Sequence, residues 1–107
     1  LKVIENDDSE VAKEIKNLHE IQKAIKLRDD DTAKIIEMYL RPGDVVKEHT
    51  TPVDVTFFVH EGEVEMEIGE EKEKAKKGDL VISPKNIPHA FVNNGDGDAR
   101  VLVIKHI

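Results

Sequence analysis

The sequence predicts an all-β fold, a sandwich or a barrel formed by one domain. Three observations carry that expectation. Short stretches alternate apolar and polar residues with period two. The cleanest is residues 63–69, where Val64, Met66 and Ile68 interleave with Glu63, Glu65 and Glu67. Glycine and proline turns recur between the stretches, at Pro42-Gly43, Glu61-Gly62, Gly78-Asp79 and Asn94-Gly95. The length, 107 residues, suffices for one core and not for two.

The elements follow in order. Residues 1–4 are a short apolar run that suits an edge strand. Asp7, Asp8 and Ser9 are N-cap residue types, and Val11, Ile15 and Leu18 follow at helical spacing. A short N-terminal helix is therefore expected over residues 10–18, covering a sheet edge or reaching a partner subunit. Residues 19–27 alternate as a strand with one wet face. Arg28-Asp29-Asp30-Asp31 reads as a solvated hairpin turn, because the spaced ligands of a calcium loop are missing. Residues 32–40 form a strand with Ile36, Met38 and Leu40 on one face and Glu37 and Tyr39 on the other.

Val55, Phe57 and Val59 share one strand face. Counting back at the same parity puts Thr51 and His49 there too, provided Pro52 introduces no bulge. His60 points the other way. Residues 70–77 read as a charged, exposed hairpin. Beyond Pro84 and Pro88, parity aligns His89, Phe91 and Asn93, and residues 100–107 form a last apolar strand.

Composition excludes several partners. Net charge is -7 with acids and bases interleaved, so no basic stripe neutralises phosphates, and nucleic acid is not expected. No apolar run approaches the ~18 residues of a membrane span. There is no cysteine, which removes disulfides and thiolate chemistry. A cytoplasmic protein with no membrane partner is the expectation, since no secretory signal precedes the charged start.

Two stretches carry the chemistry. Residues 43–62 run from Gly43-Asp44 through His49 to Glu61-Gly62. Residues 78–93 run from Gly78-Asp79 through Pro84 to His89, with Asn93 four residues later. Together they resemble the two motifs of the cupin superfamily, and the match covers residues 33–104 of the single domain, residues 1–107. The resemblance implies a single jelly-roll β-barrel (a double-stranded β-helix) and, for proteins of this size, a homodimer. It also implies that His49 and His89 converge inside the barrel. In metal-binding members two further positions contribute a histidine and a glutamate. Here they fall on Thr51 and Val55, which are poor and null ligands.

The expected pocket comprises His49, Thr51, Val55, Phe57, Met66, His89, Phe91 and Asn93, although Asn93 equally suits securing a turn. His49 and His89 are the metal candidates, with Asp54 and Thr51 as further donors. The three histidines and carboxylate of metal-binding members suit zinc, nickel, iron, manganese or copper, so the resemblance implies a divalent metal of this kind, if any. Three readings of the pair remain open: hydrogen-bonded core histidines, a weak or altered divalent-metal site, and a metal-free pocket. They correspond to three functions. One is a small-molecule-binding module, which the missing ligands favour. Another is a metal-dependent enzyme of the dioxygenase or isomerase type. The third is a structural or accessory domain.

Overall fold

The alternating stretches become nine strands. The structure, a computed structural model, describes residues 23–107. Every regular element among them is a strand: β1 (Lys23–Asp29), β2 (Ala33–Leu40), β3 (Val45–His49), β4 (Val55–Glu61), β5 (Glu63–Ile68), β6 (Glu71–Lys76), β7 (Leu80–Ser83), β8 (His89–Val92) and β9 (Ala99–His106). The expected helix over residues 10–18, the run 1–4 and the start of the first strand lie outside the described residues.

The strands form two antiparallel sheets, ordered β1-β2-β9-β4-β7 and β3-β8-β5-β6. Their inner faces meet in one core. Ile36, Met38, Leu40, Phe57, Val59, Val101 and Val103 come from the first sheet; Val46, Val64, Met66 and Phe91 come from the second. Phe57 and Val59 are about 1% and 0% exposed. Each fully buried side chain of this size contributes roughly 1.5–3 kcal/mol.

The expectation of a closed barrel is corrected to an open sandwich, since no ladder joins one sheet to the other. The edge strands explain it. β7 has four residues, and β6 is charged on both faces with only Ala75 buried. They face each other across a groove of about 750 Å³ bordered by Met66, Ile68, Leu80 and Ile82. The charged, exposed hairpin expected over residues 70–77 is the strand β6, paired with β5 from Glu63↔Lys76 to Ile68↔Glu71.

Three turns position the site. Gly43 and Gly78 have φ of 91° and 92°, and each precedes an aspartate that closes its turn. Arg41 N donates to Asp44 Oδ2 at 2.7 Å, and Lys76 N donates to Asp79 Oδ2 at 2.9 Å. Gly62 is constrained twice: its φ is 73°, and a Cβ there would run into the Asp98 carbonyl oxygen. In the acidic turn, Asp30 Oδ1 accepts from Thr32 N at 2.9 Å and Ala33 N at 3.1 Å, so this carboxylate builds the hairpin.

A bulge decides which residue of β3 faces inward. β3 pairs with β8 as Val46↔Phe91 and then His49↔His89, one residue out of step. In an unbroken ladder Glu48 would stand opposite His89; the extra residue puts His49 there instead.

Candidate functional site: a two-histidine cup

His49 and His89 meet. Their Nε2 atoms are 3.1 Å apart, and the rings lie edge to face with centroids 4.4 Å apart. Each ring is held from behind. His49 Nδ1 is 2.8 Å from the Lys47 carbonyl oxygen on the bulge. A carbonyl only accepts, so this Nδ1 carries a proton and Nε2 of the neutral ring is a bare acceptor. His89 Nε2–H then donates to it. His89 Nδ1 accepts from the Ser83 hydroxyl, whose Oγ is 2.9 Å away. Thr51 Oγ1 stands 3.4 Å from His89 Nε2.

The two rings differ in environment. His89 is 2% exposed and packs its edge on Phe57, with centroids 5.3 Å apart. Burial lowers its pKa to about 4, aided by Coulombic repulsion from His49 whenever that ring is protonated and from Lys105. His89 is neutral at pH 7. His49 is only half-buried and stands at the mouth.

The rings open onto a cup of about 20 Å³, lined also by Thr51, Val55, Phe57 and Phe91, as the sequence suggests, and by Met38, Val46, Val103 and Lys105. The volume matches about one water-sized particle. Two expected lining residues are elsewhere. Asn93 is fully buried, but its Nδ2 donates to the Leu40 and Gly97 carbonyls at 3.0 and 2.9 Å. It stitches the second motif to the end of β2. Met66 packs in the core and borders the groove between β6 and β7. Asp54 points away from the cup, with Oδ1 accepting from Lys85 N at 2.9 Å. Lys105 is the residue that the sequence reading missed. It shares parity with Val101 and Val103 and pairs with Val55 across β4–β9, so alternation along β9 could have found it.

A metal ion needs donors in number and charge. The 3.1 Å between the imidazole nitrogens suits two bonds to one ion, since nitrogens ~2.0–2.1 Å from zinc lie about 3–3.4 Å apart. The rest of the cup does not suit it. Thr51 and Val55 hold the remaining positions, and no Asp or Glu lines the cavity while Lys105 does. Among the described residues no cluster of three or more His, Cys, Asp or Glu could hold an ion. The donor set therefore does not fit a resident metal.

A second polar cluster lies on the opposite face of the same sheet. Glu37 is 3% exposed, and its Oε1 accepts from Arg100 Nε at 2.9 Å. Arg100 also donates to the Tyr39 hydroxyl at 2.9 Å. His60 Nε2 lies 2.6 Å from the same carboxylate oxygen, badly directed for a hydrogen bond, and makes no other hydrogen bond among the described residues. As parity indicated, His60 faces away from His49.

Comparison with known proteins agrees with this fold. The family model for the cupin domain matches residues 36–105. A curated relative, Protein SchB of Streptomyces halstedii, is 31% identical over 64 residues; the match covers 59% of this chain and 46% of that protein, about half its length. Among solved structures, TT1209 of Thermus thermophilus has a TM-score of 0.77 at 24% identity, covering 91% of this chain and 97% of that one. The SPY1581 protein of Streptococcus pyogenes has a TM-score of 0.76 at 19% identity, covering 99% and 95%. A cupin superfamily protein of Desulfitobacterium hafniense has a TM-score of 0.73 at 21% identity, covering 78% and 75%. These structures share the fold, and the matched motifs and the family model together place the chain: it belongs to the cupin domain family.

Proposed function

We propose that this cupin binds a small molecule by its polar tip, which enters the cup between His49 and His89. The observation that carries the reading is the 3.1 Å approach of two Nε2 atoms whose rings line one cavity. Their partners Lys47 O and Ser83 Oγ orient both rings before any ligand arrives. Thr51 adds a hydroxyl. Phe57 and Phe91 make the surrounding wall apolar, which strengthens each polar contact. The small free volume admits a single functional group, so the rest of the ligand stays at the mouth. Added nickel or zinc is expected to associate with the two imidazoles weakly and to compete there with protons. Among the described residues no helix is long and apolar enough to cross a membrane, and a cytoplasmic location is part of the same reading.

The test is a titration of ¹⁵N-labelled protein with a panel of small acids, amides and sugars, read at the imidazole nitrogens. At least one class is expected to shift the His49 and His89 signals saturably, and His89→Gln removes the response. Folded protein whose ring signals ignore the whole panel overturns the proposal.

A further inference from the structure

The turn between β8 and β9 holds a pair of residues that the small-molecule reading does not use. Asn94 is exposed and is followed by Gly95. An asparagine before a glycine carries a latent reaction, because the glycine has no Cβ to obstruct the approach of its backbone nitrogen to the preceding side-chain carbonyl carbon. In this turn both reacting groups are held elsewhere. Gly95 N donates to Asn93 Oδ1 at 3.1 Å, and Asn94 Nδ2 donates to Glu65 Oε2 at 3.4 Å. Asn93 is itself tightly fastened. It is fully buried, and its Nδ2 donates to the Leu40 and Gly97 carbonyls. Its backbone N donates to the Asp44 carbonyl at 3.0 Å, and its own carbonyl accepts from Gly43 N at 2.6 Å. Every polar group of Asn93 is engaged, and Oδ1 is fixed on the Gly95 amide.

We propose that Asn94 is a site of spontaneous modification, deamidation through a succinimide, which Asn93 holds in check while the chain is folded. The Gly95 nitrogen loses its proton to hydroxide and attacks Asn94 Cγ, forming a new C–N bond. The Cγ–Nδ2 bond breaks, and Nδ2 takes a proton from water and leaves as ammonia. Water then adds to either carbonyl of the ring and cleaves its bond to nitrogen, giving aspartate by one route and isoaspartate by the other. Nothing is oxidised or reduced: an amide and water become an acid and ammonia. The attack needs Gly95 N turned from Asn93 Oδ1 toward Asn94 Cγ, so local opening of the turn comes first. The product opposes reclosure. A carboxylate at position 94 replaces the amide that donates to Glu65, so two acids meet where a donor met an acceptor. Glu63, Asp96 and Asp98 line the pocket beside the same turn and add to the negative charge there. The isoaspartate form also lengthens the backbone by one carbon ahead of Gly95, which draws Gly95 N away from Asn93 Oδ1. A transient opening thereby becomes a permanent one.

The experiment ages the natural chain at mildly alkaline pH, folded and in concentrated urea, and follows each asparagine by mass spectrometry of its peptides. Asn94 is expected to convert at least tenfold faster in urea than in the folded chain. Asn86, which precedes the bulky Ile87, is expected to stay intact in both. Amide hydrogen exchange reads the restraint directly: the Gly95 N–H of the folded chain is expected to exchange at least tenfold more slowly than in urea-unfolded chain under matched conditions. Asn93→Ala, in protein that circular dichroism shows to be folded, is expected to remove that protection and to speed Asn94 conversion at least fivefold. Should Asn93→Ala fail to fold, the urea contrast and the Gly95 exchange rate of the natural chain still decide. Equal conversion in folded and unfolded chain, no conversion of Asn94 in urea, or an unprotected Gly95 amide overturns the proposal. So does a folded Asn93→Ala that ages no faster than the natural chain.

Discussion

The two sides of the β2-β9-β4 sheet handle charge in opposite ways. On the face away from the core, the Glu37 carboxylate is buried and matched by Arg100, with Tyr39 and His60 alongside. On the core face, Lys105 and two imidazoles share a cavity wall with no Asp or Glu among its described lining residues. The guanidinium also lies over the Tyr39 ring, 4.7 Å from its centre, which adds a cation–π contact. The outer cluster carries both signs and holds the fold together. The inner cluster lines the cup that the proposed small molecule enters. The difference gives a rule for separating structural from functional charge here: the first is costly to remove, and the second is costly only to binding.

The largest expected effect belongs to the outer face. Arg100→Ala strips a buried carboxylate of its main partner and is expected to destabilise the chain by about 3 kcal/mol in urea denaturation. A loss below about 1 kcal/mol would place Arg100 among weak surface pairs and break the contrast.

The next effect is on the inner face and depends on pH. The folded-state pKa of His89, about 4, lies below the ordinary ~6.5 of the unfolded chain. As pH falls, the unfolded chain takes up the proton first. The stability contributed by neutral His89 is therefore complete above pH ~6.5, is lost between ~6.5 and about 4, and changes no further below that. On the order of 2 kcal/mol is expected, less than the full displacement implies because water reaches the mouth of the cup. Denaturation midpoints across this range measure it, and His89→Gln flattens the slope.

Smaller still is the stability change in Lys105→Met. It is expected to stay below about 1 kcal/mol, since Lys105 is only half-buried and the pairing of such a charge contributes little. A loss as large as that of Arg100→Ala would make Lys105 a structural residue and erase the distinction between the faces. The least change in stability is expected at the sheet edge. Leu80 and Ile82 on β7 are 58% and 64% exposed, and we propose that the chain is a homodimer that shields apolar surface of this kind. Light scattering is expected to give twice the chain mass, and Ile82→Lys to lower it while leaving monomer stability within about 0.5 kcal/mol. A wild-type mass of one chain contradicts the dimer.

Much of the fold is legible in the sequence because strand alternation follows from a backbone with period two. Val64, Met66, Val55, Phe57 and Val59 all face the core as that period requires. β6 escaped because alternation shows only where one face is apolar, and Glu71, Lys72, Glu73 and Lys74 are all exposed. The barrel did not close because closure depends on pairing between edges, which no local pattern records. The site is more instructive. Counting back from Val55 places His49 inward, yet β3 and β4 lie in different sheets, so parity across the loop between them carries no physical constraint. The bulge after Val46 turns His49 inward, and nothing in Lys47-Glu48 announces it. Glu37 reads as lying on the face away from the core, and its pairing with Arg100, 63 positions along the chain, leaves no local pattern. Lys105 hid in a strand whose apolar composition drew attention from its alternation.

The arrangement of the two rings underlies every functional statement, and imidazole ¹H–¹⁵N spectroscopy at neutral pH tests it most directly. The account predicts His49 with hydrogen on Nδ1 and a bare Nε2, His89 with hydrogen on Nε2 and a bare Nδ1, and a scalar coupling across the Nε2–H···Nε2 bond. Two rings with the same tautomer and no coupling between them would contradict it.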